Sequence, residues 1–176
     1  MHKTLIATIL GVASLPFLAV SPAKAAEVPS TGQQAPEVKL PSQDGSQINL
    51  KSYRGQWVVL YFYPKDMTQG CTIEARNFQR DLSKYQAANA VILGVSVDSA
   101  DSHKEFCAKE SLTFKLLADT DKQVTEAYGS LRNPPGIALR NTFLIDPHGK
   151  IVKVWTGVKP QQHSEEVLAA LAELKH

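Results

Sequence analysis

Apolar and polar residues along this chain form short apolar runs separated by segments with helical spacing. The run at 57–63 is continuously apolar, as is typical of a strand covered on both faces of a sheet, and the mostly apolar runs at 91–97 and 114–118 predict two more strands. Two further pairs of runs flank turn residues and predict β-hairpins. These pairs are 38–40 with 48–50, around Asp44-Gly45, and 142–145 with 151–155, around Asp146-Pro-His-Gly149.

Helical spacing begins directly after the first long run. Ala75, Phe78, Leu82 and Tyr85 recur at steps of three and four, and predict one helix that starts at Cys71. Capping patterns predict two more helices, at Ser102-x-x-Glu105 and at Thr120-x-x-Gln123 with Gly129 as C-terminal cap. Residues 131–139 predict a loop, and an apolar stripe over 167–174 predicts the last helix. This order of elements indicates an α/β fold of thioredoxin-like type, with a mixed sheet flanked by helices.

The first 25 residues predict a secretory signal peptide. Lys3 supplies the positive charge, residues 5–20 an apolar stretch and Ala23-Lys24-Ala25 a small-residue cleavage site. A membrane anchor is the alternative, but Pro16 interrupts the apolar run and favours cleavage. We therefore expect a flexible lead-in at 26–35, one domain at 36–176 and no stable membrane association after cleavage. The compartment would be a periplasm, or a thylakoid lumen if the source is a cyanobacterium.

Charge and composition exclude several classes of partner. The chain has 19 basic and 17 acidic residues, and the first 25 residues hold two of the lysines and no acid. The rest of the chain is therefore close to neutral, which does not favour binding to nucleic acid or to an anionic membrane. His103, His148, His163 and His176 show no metal-ligand spacing, so no metal site is expected.

Cys71 is the first candidate for chemistry. Counting back four from Ala75 places its thiol on the inward stripe, in the first turn of the predicted helix. A thiol there faces unpaired backbone N–H groups and the positive end of the helix dipole, which favour the reactive thiolate. The alternative is an inert buried cysteine, because free cysteines commonly pack as small apolar residues.

The residues before Cys71 resemble a known signature. Pro64, Thr68 and Cys71 match the peroxiredoxin pattern Pro-x-x-x-Thr-x-x-Cys. The flanking residues, Tyr-Phe-Tyr-Pro-Lys-Asp before and Gly-Cys-Thr-x-Glu-Ala after, are similar to the peroxiredoxin Q or bacterioferritin comigratory protein branch. The resemblance runs from about Gln33 to the C-terminus. It implies a thioredoxin-like fold with an N-terminal β-hairpin extension.

The resemblance also implies roles for the residues around Cys71. Cys71 would be the peroxidatic cysteine, and Thr68 would orient the thiolate and the bound peroxide, besides being a possible helix cap. Pro64 would end the strand and shield the thiolate, with Gly70 in the turn before it. Arg140, in a segment similar to the family's active-site arginine segment, would stabilise the thiolate and the departing oxygen. Glu74 would hold Arg140 or simply favour the helix N-terminus.

Cys107 is the residue that would decide the mechanism. Many members of this branch carry a second cysteine five residues after the first, but that position is Arg76 here. The separation of Cys107 from Cys71 resembles a minority arrangement, in which a resolving cysteine forms an intramolecular Cys71–Cys107 disulfide. A static structural disulfide and a free buried cysteine remain as alternatives. The resolving role requires local unfolding of a helix end.

Together these features predict an exported thiol peroxidase that reduces hydrogen peroxide and organic hydroperoxides. Cys71 would form a sulfenic acid, Cys107 would resolve it, and a thioredoxin-like dithiol reductant would recycle the disulfide. No cofactor is implied, and a monomer is expected. Two alternatives stay open: a non-enzymatic thioredoxin-fold domain with a structural disulfide, and a thiol-disulfide oxidoreductase. The second normally needs Cys-x-x-Cys, whereas the fourth residue here is Glu74.

Overall fold

The computed structural model describes residues 26–175, so the predicted signal peptide at 1–25 lies outside the described residues. A five-stranded sheet forms the centre of the fold, in the order β5-β4-β3-β8-β9. β3, β4 and β5 are parallel, whereas β8 runs antiparallel to both β3 and β9. Their bounds are β3 Trp57–Phe62, β4 Ala90–Ser96, β5 Lys115–Ala118, β8 Thr142–Ile145 and β9 Ile151–Trp155.

The remaining elements flank this sheet. Strands β1 and β2 pair as an antiparallel hairpin, which is the expected N-terminal extension, and a 3-10 helix at Leu50–Tyr53 follows it. The sheet is mixed and flanked by helices, which confirms the thioredoxin-like α/β fold. The bounds are β1 Lys39–Pro41, β2 Gln47–Asn49, α1 Gln69–Arg80, α2 Leu82–Ala87, α3 Ala100–Glu110, α4 Gln123–Ala127 and α5 His163–Leu174.

Strand β3 separates two buried clusters because its side chains alternate between the two faces of the sheet. Val59 and Tyr61 pack with residues of α1, α2, α3 and α5 on one face, and this cluster contains both cysteines. Val58 and Leu60 pack on the other face with the β1–β2 hairpin and α4. The run is therefore continuously apolar because both faces of the strand are covered.

The single helix predicted after Cys71 is two helices. α1 ends at Arg80 and α2 begins at Leu82, so the apolar stripe continues across a break at Asp81. Asp81 is buried, and its carboxylate accepts hydrogen bonds from Arg80, Lys84 and the Ser164 hydroxyl of α5. These contacts compensate for the interrupted helix, which spacing alone could not indicate.

Both predicted N-terminal caps were wrong by a few residues. Ser99, rather than Ser102, caps α3, and its hydroxyl accepts from the Ser102 backbone N–H at 3.2 Å. Helix α4 begins after Lys122 and takes its side-chain cap from Asp119, whose carboxylate accepts from the backbone N–H of Thr125 at 2.6 Å. The hydroxyl and carboxylate acceptors lie earlier in the chain than the box pattern placed them.

Two further segments have backbone hydrogen bonds that the sequence pattern did not predict. Residues 131–139, predicted as a loop, contain a short antiparallel hairpin of β6 Leu131–Arg132 and β7 Ile137–Ala138. Residues 26–35, predicted as a flexible lead-in, donate backbone hydrogen bonds from Gly32 to Ile151 and from Ala35 to Gly149. Within residues 26–175, no helix is long and apolar enough to cross a membrane.

Candidate active site

Cys71 lies in the first turn of α1, two residues after the helix begins. Its side chain is 2% exposed and packs in the same cluster as Ala75 and Phe78, as the apolar stripe predicted. The first four backbone N–H groups of a helix have no partner within it, so the thiol is close to unpaired donors. This position favours the negative charge of a thiolate.

Arg140 brings a fixed cation to the Cys71 thiol. It comes from the segment before β8, and its Nη2 donates to Cys71 Sγ at 3.3 Å. Its Nη1 donates to Glu74 Oε2, one turn further along α1. The side chain is only 15% exposed, so the charge is poorly screened by water. The guanidinium therefore joins the thiol to a buried carboxylate.

Glu74 is held in an unfavourable environment for a charge. Its side chain is 1% exposed, and Oε1 has no hydrogen-bond partner within the described residues. Burial raises the pKa of Glu74 to about 7, although the Arg140 guanidinium opposes the rise. Glu74 thus pairs with Arg140 at a cost in desolvation.

Gly70 and Pro64 shape the space around Arg140. A Cβ atom on Gly70 would lie 3.2 Å from Arg140 Nη2, so the absence of a side chain lets the guanidinium reach Cys71. Pro64 follows β3 and, with Arg140, lines a cavity of about 430 Å³. Apolar side chains such as Ile137 and Val158 also line it.

Thr68 is the residue before α1, but its hydroxyl does not cap the helix. Thr68 Oγ1 donates to the Lys65 carbonyl oxygen at 2.9 Å, and the side chain is exposed. Because the hydroxyl proton is committed to Lys65, the oxygen presents its lone pairs outward, three residues before Cys71. A hydroxyl in this state can accept a hydrogen bond from a bound peroxide.

Residues 31–154 match the model of the AhpC/TSA family. The chain belongs to the AhpC/TSA family. Among curated relatives, the peroxiredoxin Bcp of Bacillus subtilis is 39% identical over 149 residues, covering 81% of this chain and 95% of its own length. The peroxiredoxin Bcp of Xanthomonas campestris is 41% identical over 142 residues, covering 77% and 88%. This chain is thus a peroxiredoxin, a thiol peroxidase of the Bcp or peroxiredoxin Q branch.

Solved structures of this branch have the same fold. A variant of the peroxiredoxin Q of Xylella fastidiosa superposes with a TM-score of 0.78 and is 36% identical, covering 88% of this chain and all of its own. The bacterioferritin comigratory protein of Xanthomonas campestris superposes with a TM-score of 0.75 at 39% identity, covering 79% and 92%. The latter structure is described as giving insight into alkyl peroxide reduction.

Cys107 of this peroxiredoxin is a free thiol near the end of α3, and Cys71 is also free. The two side chains belong to the same buried cluster, with Cys107 8% exposed. Burial and the nearby Asp66 carboxylate raise the pKa of Cys107 to about 11, so the protonated thiol is the resting form. Because both cysteines are free thiols, the predicted disulfide is not formed in this structure.

The position that replaces the branch's second cysteine has a structural contact of its own. Arg76 Nε donates to Glu110 Oε2 at 2.5 Å, and this pair joins α1 to the last residue of α3. One turn later, the Thr113 backbone N–H donates to Gln79 Oε1 at 2.8 Å. We call these two pairs the α1–α3 contact. They join α1 to the end of α3, the helix that carries Cys107, and to Thr113 just after it.

A polar cluster beside Cys107 was missed by sequence reasoning. Asp66, 5% exposed, accepts from the hydroxyl groups of Tyr63 and Ser102 at 2.7 Å each. The Nδ1 atom of His103 lies 2.8 Å from Asp66 Oδ2, and the imidazole is fully buried. The sequence did hold one signal, because His103 precedes Cys107 by four residues and shares its helix face. Within residues 26–175, no three histidine, cysteine or acidic side chains cluster as a metal site requires.

Proposed function

We propose that this peroxiredoxin is exported and reduces hydrogen peroxide and organic hydroperoxides through Cys71. The observation that carries the proposal is the hydrogen bond from Arg140 Nη2 to Cys71 Sγ, with Glu74 fixing the other end of the guanidinium. This arrangement supplies a preorganised positive charge where a thiolate and a departing oxygen need one.

In the first step, the Cys71 thiolate attacks one peroxide oxygen. The S–O bond forms as the O–O bond breaks, leaving Cys71 as a sulfenic acid and releasing an alkoxide or hydroxide that takes up a proton. Thr68 would accept from the peroxide O–H, and Arg140 would stabilise the charge on the departing oxygen. Pro64 would shield the sulfur from water.

In the second step, Cys107 condenses with the sulfenic acid to form the Cys71–Cys107 disulfide and water. The two thiols are 36 positions apart in the chain. Two solved variants of the peroxiredoxin Q of Xanthomonas campestris each replace one cysteine by serine, and those cysteines are also 36 positions apart. This shared spacing supports the pairing. A thioredoxin-like dithiol would then reduce the disulfide by exchange.

Three finer points of the proposal have separate support. Pro64 and Arg140 line the 430 Å³ cavity together with apolar side chains such as Ile137 and Val158. These apolar side chains suit the alkyl group of an organic hydroperoxide. Export to a periplasm or a thylakoid lumen rests on the leader-like residues 1–25. A monomer fits the described surface, where the exposed large apolar side chains are Met67 and Leu174.

Rapid mixing with hydrogen peroxide, followed by intact mass, tests the route in the reduced chain from residue 26. We expect a fast, peroxide-dependent phase and then the loss of two hydrogens in total. Cys107→Ser should keep the fast phase and stop at the gain of one oxygen. Cys71→Ser should abolish both changes. A wild-type rate like that of free cysteine would instead favour a structural role for the cysteines.

A further inference from the structure

We infer that His103, oriented by Asp66, accepts the proton of the Cys107 thiol in the step that forms the disulfide. The inference rests on the proposed resolving role of Cys107 and adds a residue to it. The three groups form a sequence of carboxylate, imidazole and thiol on two elements, the loop after β3 and helix α3.

The chemical need arises from the burial of Cys107. Only the thiolate attacks a sulfenic sulfur efficiently, whereas burial raises the pKa of this thiol to about 11. At neutral pH, about one molecule in ten thousand would then carry the thiolate. A base close to Cys107 would remove this barrier by accepting the thiol proton. The Arg140 guanidinium is already bonded to Cys71 and Glu74, so it is not available to stabilise a Cys107 thiolate.

The hydrogen bonds around Asp66 fix the state of the imidazole. Burial alone would favour the neutral acid, but hydrogen bonds from His103, Ser102 and Tyr63 outweigh it and lower the pKa of Asp66. An ionised carboxylate only accepts hydrogen bonds, so the proton of the 2.8 Å bond belongs to His103 Nδ1. The lone pair on Nε2 is then the acceptor site of the ring.

That lone pair has no protein partner. His103 Nε2 is fully buried and unbonded within the described residues, and an unpaired polar atom in an apolar core is costly. Cys107 lies one helical turn away on the same buried face of α3. The spacing of four residues therefore places the thiol and the unpaired nitrogen on one face of α3.

Other ionisable groups face this site from each neighbouring element. Burial raises the pKa values of Tyr61, on β3, and of Tyr63, directly after it, well above 10, so both keep their protons. Asp98, before α3, accepts from the Asp66 backbone N–H and the Ser96 hydroxyl. Lys115, on β5, pairs with Asp44. The two tyrosines are protonated, Asp98 accepts hydrogen bonds and Lys115 is paired, which leaves His103 as the candidate base on the helix that carries Cys107.

The proposed step is balanced. The S–H bond of Cys107 breaks and its proton moves to His103 Nε2, while the sulfur forms a bond to the Cys71 sulfenic sulfur. The Cys71 S–O bond breaks, and the departing hydroxide takes the proton from His103 to leave as water. One disulfide and one water result, with no external oxidant beyond the first peroxide.

The test is the pH profile of the second, peroxide-independent phase, measured from pH 5.5 to 9.5 in the full reduced protein. We expect the wild-type rate to level off above neutral pH. In His103→Asn, whose amide can still donate to Asp66, the rate at pH 7 should fall by about 10²–10³-fold. It should then rise tenfold per pH unit, since hydroxide alone would ionise Cys107. The first phase should not change.

Two companion variants separate base chemistry from packing. Ser102→Ala removes one donor to Asp66 and keeps the imidazole, so its profile should keep the wild-type plateau. Asp66→Asn no longer fixes the proton on Nδ1, so its plateau should be lower. An unchanged profile shape in His103→Asn, or equal effects in Ser102→Ala, would overturn the inference.

The inference can be tested even if the His103→Asn variant does not fold. A wild-type second phase that rises tenfold per unit up to pH 9.5 would overturn it without any variant. A wild type that forms no intrachain disulfide would overturn both the resolving role of Cys107 and the role of His103. Disulfide formation with a normal His103→Asn profile would overturn only the latter.

Discussion

At the scale of single residues, Glu74 is a buried carboxylate whose environment disfavours its charge. Its carboxylate is buried and its pKa is near 7, yet it keeps Arg140 against Cys71. In the unfolded chain the pKa would be close to 4.5, so the folded state binds more protons between these two values. The contribution of Glu74 to stability is therefore present at low pH and is lost as the pH rises through 7.

Glu74→Gln should remove this pH dependence. Between pH 5 and pH 8, the free energy of unfolding of the wild type should fall relative to the variant by about 2.5 kcal/mol. Urea unfolding of the reduced proteins at each pH measures the difference, in which titrations common to both proteins cancel. Parallel curves for the two proteins would mean that Glu74 is charged in the fold at all these pH values.

Gly70→Ala should slow the first oxidation of Cys71. The new Cβ would lie 3.2 Å from Arg140 Nη2, so the guanidinium must shift by a few tenths of an ångström away from the sulfur. We expect a rate about three- to tenfold lower at a similar melting temperature. Gln69→Ala, at the exposed neighbouring position, is the control and should react like the wild type.

The sequence predicted the residues of this site better than it predicted their bonds. Pro64, Thr68, Cys71 and Arg140 were identified from a resemblance, and the structure places Arg140 on Cys71 Sγ. The Asp66–His103 pair was missed because its partners are 37 positions apart and neither lies in a motif. Periodicity gives the inward face of a helix but not which buried polar groups meet there.

At the scale of elements, the α1–α3 contact opposes the movement that the proposed disulfide requires. Arg76→Ala should speed the second phase about two- to fivefold, because the lost ion pair on an exposed arginine is worth about 0.5–1 kcal/mol. Rapid mixing at saturating peroxide measures the phase. Lys51→Ala breaks the ion pair between the 3-10 helix and Glu37, the residue before Val38 and β1, and should leave the rate unchanged.

Helix α4 offers a test of its true cap. Asp119→Ala removes a fully buried carboxylate that accepts from Thr125 N–H and Oγ1, and should lower the free energy of unfolding by about 2–3 kcal/mol. Thr120→Ala alters the cap that the sequence pattern indicated, and should change stability by less than about 0.5 kcal/mol. Denaturant unfolding of the two variants compares them directly; equal losses would contradict the structural assignment.

The elements were predictable where an apolar run or stripe was long, and less so at their ends. Strands β8 and β9 begin and end where the apolar runs do. The break at Asp81 was missed because its carboxylate also bonds to Ser164, which is distant in the sequence. The caps of α3 and α4 were missed because Ser99 and Asp119, the residues that accept the bonds, lie just before the pattern that indicated a cap. The β6–β7 hairpin was hidden because each strand has two residues, too few for a period to be visible.

At the scale of the whole molecule, the proposed monomer leads to a prediction that can be tested in solution. Met67 and Leu174 are its exposed large apolar side chains, at 41% and 43%, and they lie on different elements. Sedimentation of the reduced and the oxidised chain from residue 26 should therefore give one monomeric species in each state. A dimer in either state would point to an interface that exposure of apolar side chains does not reveal.

The α1–α3 contact also bears on how long this enzyme survives its own substrate. In the proposed mechanism, a sulfenic acid on Cys71 has two fates: capture by Cys107, or attack on a second peroxide molecule that yields an irreversible sulfinic acid. The first fate must wait for the last turn of α3 to move, whereas the second becomes faster as peroxide accumulates. The bonds made by Arg76 and Gln79 would thus slow disulfide formation. The strength of these bonds would then set the peroxide concentration above which Cys71 is irreversibly oxidised rather than recycled.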